Sequence, residues 1–444
     1  MNTDMTQGSP ASVLWRFSMP MLLSVVFQQL YNIVDSVVAG RFIGEDALAA
    51  VGASYPVTML FMAVATGCNI GCGVIFSQLF GAKELKRLKT AISTSFISVL
   101  ALAAFLTIVG LAACGPILNA LSTPQNIFSD SAVYLNIYIL GLLFLFLYNL
   151  CNAVFVSFGD SRTPLYFLIG SSVANIIADV VFVVTFKMGV AGVAWATFMC
   201  QGAASLLALF AVSKRIKGIK TEPYSRFSSR ELARISKIAI PSILQQSFVS
   251  VGNLFIQSLV NSFGSAVVAG YSAAVKLNTF ALTGFTTLGS SMSSFTAQNI
   301  GAGKPQRVKQ GFKAGVGMTV GIALVFFGCY FGLSKEMIGI FITTPSGEAL
   351  EQGVLMLRII SPFYLAVCLK LIADGVLRGA GCMGSFMVAT FTDLILRVIL
   401  AYVFAPSLGA LGIWLSWPVG WIIAAILSLT FYLKGGWKTK SMLK

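Results

Sequence analysis

Histidine is absent from all 444 residues, which excludes imidazole zinc and haem sites and histidine proton relays. No G-x-x-x-x-G-K-[ST] loop occurs, which argues against an ATP-driven pump. The eight cysteines, at 68, 72, 114, 151, 200, 329, 368 and 382, form no ligand quartet. Cys68 and Cys72, one helical turn apart, read as packing. Charge is scarce: 10% of the chain against 57% hydrophobic residues, with mean hydropathy +0.86. So little charge excludes a soluble protein with a polar surface.

Present instead are apolar runs of about 20 residues, the length that crosses a bilayer as a helix. They fall at 14–39, 47–76, 91–114, 131–157, 164–186, 190–213, 238–262, 266–297, 313–332, 351–377, 385–404 and 411–433. The expected fold is therefore an all-α integral membrane protein with twelve spans and the lipid bilayer as its surroundings. The first run continues past Arg16 to about Gly40, so it is expected to be a retained helix rather than a cleaved leader. A net charge of +15 would suit nucleic acid, but the basic residues sit between spans, and nucleic acid is not an expected partner. Arg16, the 83–89 loop, Arg162, the 214–237 linker, the 304–313 loop, Arg378 and the tail from Lys434 hold 23 of them, whereas the alternate loops hold only Arg41, Lys187 and Lys335. By the positive-inside rule both termini are expected in the cytoplasm.

The chain is duplicated. Gln78 to Lys89 (QLFGAKELKRLK) and Gln298 to Lys309 (QNIGAGKPQRVK) match at five of twelve positions with an offset of 220. The same offset pairs Gly44 with Gly264 and Gly159 with Gly379, while 221 pairs Pro20 with Pro241, Asn32 with Asn253, and Thr123-Pro124 with Thr344-Pro345. Six spans per copy is an even number, so the copies cross with the same polarity as parallel repeats. The expected domains are a lobe at 1–213, a cytoplasmic linker at 214–237 and a second lobe at 238–444. Pro20, Pro56, Pro241, Pro362 and Pro418 enter helices, where each removes a backbone hydrogen bond and favours a bend.

An ionisable group at a span centre costs roughly 2.5 to 3.5 kcal/mol on insertion scales, so each implies a partner or a task. In the second copy Lys370 and Asp374 stand at i,i+4, as do Asp393 and Arg397, and each pair is expected to neutralise itself; a role in substrate contact is the alternative. Lys276 has no partner nearby in sequence and is expected to line a wet cavity, and Arg358 is expected to snorkel outward. The first copy holds Asp35 and Asp179 with no intramembrane base. Asn175 precedes Asp179 by one turn, and Thr197 reaches a similar depth on the next helix. With a backbone carbonyl near Val193, these are hard oxygen ligands suited to Na⁺ or to protons.

The pattern Pro20…Gln28-Gln29-x-x-Asn32-x-x-Asp35-x-x-x-x-Gly40…Gly44…Leu48-Ala49-Ala50 resembles the multidrug and toxic compound extrusion (MATE) family, as does the Gln78-x-x-Gly81-Ala82 turn with its copy. The resemblance spans essentially the whole chain. It implies a cation-coupled exporter whose lobes enclose a central cavity opening alternately to either side. The family's first-lobe cation ligands correspond here to Asp35, Asn175, Asp179, Thr197 and the Val193 carbonyl, with Asp35 and Asp179 holding Na⁺ in a sodium-coupled member. Asn152 resembles a further polar member of that network. Some members carry an acid on the seventh helix; Gln245, Gln246 and Gln257 stand there instead, which argues against a second cation site.

The expected activity is antiport, with Na⁺ or H⁺ entering as an amphipathic organic compound leaves. A monomer in the cytoplasmic membrane is expected, with a small-molecule substrate, no cofactor and no catalytic role. The alternative is a flippase for a lipid-linked or anionic amphiphile, which the excess of base over acid within the second copy's spans would suit.

Overall fold

Lipid offers a backbone no hydrogen-bond partners, so apolar runs of this length must satisfy their own amides and carbonyls. In the computed structural model of the chain they do so as helices. The structure describes residues 4–43, 45–342 and 347–443, without the side chains of 31–41, 45, 46 and 48. Gly44, Thr344 and Pro345 of the repeat comparison, and the side chains of Asn32 and Asp35, lie outside the described residues.

In the first half the helices are α1 (Pro10–Phe42), α2 (Glu45–Gly81), α3 (Leu85–Ala120), α4 (Gln125–Leu140), α5 (Leu142–Ser157), α6 (Arg162–Val180) and α7 (Gly189–Lys217). The second half has α8 (Ser229–Asn261), α9 (Ser265–Gly301), α10 (Pro305–Gly332), the short α11 (Ser334–Gly339), α12 (Glu348–Ile360), α13 (Tyr364–Gly379), α14 (Met383–Leu408) and α15 (Ala410–Lys434). Each expected span is helical. Among the described residues, ten helical stretches are long and apolar enough to cross a bilayer, and α4 with α5 makes an eleventh when the bent pair counts as one. The expected span 266–297 falls in α9, which has 37 residues but stands outside that apolar set. Its serines, threonines, Lys276 and Asn278 dilute the aliphatic residues.

The duplication reaches the irregularities. α4 and α5 meet at Gly141 with a bend of 43°, and the Thr107 hydroxyl on α3 donates to the Ile139 carbonyl at 3.4 Å, supplying a partner beside the break. In the second copy a 3₁₀ turn, Ser361–Phe363, separates α12 from α13, at Pro362, which has no amide hydrogen to give. Gly141 and Ser361 are 220 positions apart. The fourth span of each copy is therefore interrupted at the equivalent point.

The chain forms two compact units, one built from Met19–Ser247 and the other from Met5–Ser18 together with Phe248–Lys444. The division passes through α1 and α8, near Pro20 and Pro241, and leaves the linker in the first unit. Within the first unit α2 packs on α3, α4 and α5, and α7 on α4, α5 and α6. Gly71 of α2 lets α8 approach so closely that a Cβ there would lie 2.6 Å from the Ala239 Cβ, the small-residue packing that lipid-embedded helices favour. Within the second unit α9 packs on α12 and α13, and α15 on α13 and α14, around Tyr271, Tyr330, Tyr364, Trp414, Trp417 and Trp421.

The repeated basic turn has the same task in both units. Between α2 and α3, Lys86 pairs with Glu222 at 3.0 Å, Arg87 with Glu231 at 3.1 Å, and Lys89 donates to the Ile219 carbonyl at 2.6 Å. Two of the acceptors, Ile219 and Glu222, belong to the chain leading into α8, and Glu231 to its first turn. Between α9 and α10, Arg307 donates to the carbonyls of Gly8 at 2.8 Å, Gln7 at 3.0 Å and Met5 at 3.3 Å. Lys304 reaches the Thr6 carbonyl at 3.0 Å, and the Met5 amide donates to Gln298 at 3.1 Å. There the captured chain leads into α1.

Candidate functional site

The first unit brings Asn175 and Asp179 together on one face of α6, 4% and 0% exposed. They stand one turn apart, so the spacing that makes helical neighbours places an amide and a carboxyl at one height. Immediately after Asp179, α6 widens into a π-helical turn, Val181–Thr185, in which the Phe186 amide bonds to the Val181 carbonyl at 3.0 Å. A one-residue widening of this kind re-aims the side chains beside it and is frequent at functional sites. Cys200 of α7 lies close enough to interact with both Asn175 and Asp179. Its thiol stands beside that amide and carboxyl, a placement its apolar sequence context does not signal.

Thr197, one turn before Cys200, lines a small cleft with Tyr134, Tyr138, Ala194 and Gln201. Val193 is buried one turn earlier on the same helix. Tyr134 and Tyr138 were not singled out by the sequence; their i,i+4 hydroxyls in an apolar helix were the available signal. Asn152 sits half-buried on α5, and no described hydrogen bond ties it to this group. The Asp35 side chain lies outside the described residues. Among the described residues no three His, Cys, Asp or Glu side chains are grouped to hold a metal ion; Asn175, Asp179 and Thr197 are oxygen donors on the neighbouring helices α6 and α7. Those donors suit a small hard cation or a proton rather than a transition metal.

The second unit carries a buried charge network on α13, α14 and α15. Lys370 Nζ lies 3.0 Å from Asp374 Oδ2 and 3.8 Å from Asp393 Oδ2, and Ser428 donates to the other Asp374 oxygen at 2.6 Å. The expected Asp393–Arg397 pair is not formed. Asp393 faces Lys370 across the helix interface, while the Arg397 guanidinium lies over the Trp417 ring, 4.4 Å from its centroid, and donates to Asn253 Oδ1 at 3.4 Å. Stacking and an amide partner on other helices thus outcompete the carboxylate four residues earlier. Lys276 is exposed on α9, its ammonium 5.6 Å from the Phe341 ring centroid. Arg358 bonds Ser334 at 3.0 Å.

A family model described as MatE matches residues 20–181 and, separately, 241–403. The chain belongs to the MatE family. The two MatE matches start 221 positions apart (241 − 20) and end 222 apart (403 − 181), the spacing of the internal repeat. Both stop before the last span of their copy, so Val193, Thr197, Cys200 and Trp417 lie beyond them. The chain is similar to the "Probable multidrug resistance protein YpnP" of Bacillus subtilis, 30% identical over 443 residues, covering 99% of this chain and 98% of that protein. It is also similar to a "FAD transporter" of Shewanella oneidensis, 24% identical over 303 residues, 67% of each chain. A MOP superfamily transporter from Pyrococcus furiosus matches in structure with a TM-score of 0.91 at 21% identity, covering 98% of this chain and 97% of that one. At that identity the likeness bears on the fold. These MatE relatives carry transporter names, not enzyme names, and the family is one of multi-pass membrane transporters.

Proposed function

We propose that this MatE-family chain is a cation-coupled antiporter that exports amphipathic organic compounds by alternating access, exchanging Na⁺ or H⁺ for substrate as a monomer, without cofactor or catalysis. The observation that carries the reading is the fully buried carboxyl of Asp179, set one turn from Asn175 and against a π-helical turn. A carboxylate in such a place is costly, and an incoming Na⁺ or proton removes the charge. Asn175, Thr197 and the Val193 carbonyl supply further oxygens; Asp35 and Asn152 join the set by family resemblance. Coupling then needs only that cation and substrate favour different conformations, since each shifts the equilibrium by its differential affinity.

The cytoplasmic membrane with both termini inside is the proposed setting. The basic turns support it, because Lys304 and Arg307 hold the segment just ahead of α1 and so put it on the side of the 304–313 loop.

Proteoliposomes test the reading. Efflux of a dye such as ethidium should respond to a Na⁺ or a pH gradient imposed separately, and Asp179→Asn should abolish the response while yield and melting temperature are retained. Unchanged gradient-driven efflux in Asp179→Asn would discard the assignment. A second reading, a flippase for lipid-linked or anionic amphiphiles, is favoured by one observation: the second copy's spans hold four bases, Lys276, Arg358, Lys370 and Arg397, against two acids, Asp374 and Asp393.

A further inference from the structure

The network in the second unit sets two cations, Lys370 and Arg397, against two carboxylates, Asp374 and Asp393. Lys370 serves both carboxylates. Arg397 is only 6% exposed, yet among the described residues it forms no salt bridge. Its Nε has no hydrogen-bond partner there, and neither has the indole Nε1 of Trp417, the ring on which it stacks. The one hydrogen bond of the guanidinium, to Asn253, is long at 3.4 Å and partly open. Asn253 is itself exposed on α8, and Gly252 beside it puts no side chain in the way; a Cβ there would lie 3.9 Å from Arg397 Nη2.

A buried cation without a salt bridge is costly, and a guanidinium is the side chain best shaped to receive a planar or tetrahedral oxyanion through two parallel N–H groups. Stacking on Trp417 holds that fork flat, and it makes no salt bridge with Asp393, which stands at the spacing where one could form. The fork is thereby preorganised for an anion arriving past Asn253.

We propose that Arg397, with Asn253 and Trp417, is an oxyanion-recognition site that selects amphiphiles bearing a carboxylate or phosphate group. The inference rests on the exporter reading and names the substrate class that the second unit takes. A soluble organic acid and a lipid headgroup present the same chemistry, and the experiment separates them.

The full-length chain in phosphatidylcholine nanodiscs is titrated with fluorescein (a carboxylate), riboflavin 5′-phosphate (a phosphate) and ethidium (a cation), with binding read by fluorescence anisotropy. Asn253→Asp sets a tethered carboxylate against Arg397. It should lower affinity for both anionic probes at least tenfold relative to ethidium, with a melting temperature no lower than wild type. Arg397→Gln should shift the ratio of anion to ethidium affinity the same way, and Arg397→Lys should restore part of it. Displacement of the soluble probes by added phosphatidylglycerol in wild type, but not in Asn253→Asp, assigns the site to a lipid headgroup; no displacement assigns it to a soluble acid. Anionic-probe affinities unchanged in both Asn253→Asp and Arg397→Gln, or lost in proportion with ethidium, overturn the proposal. Charge-selective binding without any gradient-driven efflux would leave this site standing and sink the exporter reading instead.

Discussion

At the scale of single residues, Asp160 shows how a small polar cluster fixes a helix junction. Burial in the loop between α5 and α6 works against its ionised carboxyl. Hydrogen bonds from Arg215 at 2.7 Å, and from the Thr163 hydroxyl at 2.8 Å and amide at 3.1 Å, outweigh burial and hold its pKa below the ordinary 3.8. A carboxyl with a depressed folded pKa stabilises the fold above the unfolded value and loses that contribution as pH falls through the folded one. Asp160→Asn should therefore be less stable than wild type by a constant margin from neutral pH down to about pH 5, and the margin should close below 3.8. Thermal unfolding in detergent across that range checks the sign, and a margin that grows with acidity contradicts it. The same scale shows what the sequence could tell. Asp179 and Asn175 were legible because i,i+4 spacing on one helix is a local property. The fate of Arg397 was not, because Trp417, Asn253 and Lys370 come from three other helices, and which of them wins depends on packing that spacing does not encode. Cys200 was likewise unreadable: a thiol in an apolar helix looks the same whether it packs or faces a carboxyl.

At the scale of elements, the spans were legible from apolar run length, since a bilayer leaves such runs few alternatives to helix. Their interruptions were harder to see. Pro362 announces the break before α13 chemically, but Gly141 is one of 42 glycines, and nothing local marks it as the hinge of the fourth span. The basic turns were recognised as repeats, though their purpose emerges only in three dimensions. Arg307 alone makes three of the hydrogen bonds to the segment ahead of α1. Arg307→Ala should release that segment, and amide exchange at residues 5–8 should accelerate at least about tenfold, the change that loss of roughly 1.4 kcal/mol of local protection produces. Exchange as slow as in wild type would mean that Lys304 and Gln298 hold the segment without Arg307.

At the scale of the whole molecule, the duplication read from a 220-residue offset is matched by two family segments and by two interrupted fourth spans. The lopsided placement of basic residues, also plain in the sequence, finds a structural use in the paired turns. What the offset could not reveal is that each turn grips the lead-in of the opposite copy. Residues ahead of α1 are bound by the second copy's turn, and those ahead of α8 by the first copy's. A polypeptide nicked after Gly218 would thus yield two fragments, each retaining a helix start whose binding site resides on its counterpart. Expressed separately, 1–218 and 219–444 should be degraded; expressed together, they should co-purify as a stoichiometric pair. Gene duplication followed by reciprocal exchange of lead-ins would make the fused halves mutually obligate, so that neither could be lost or diverge in that region without unmooring the other.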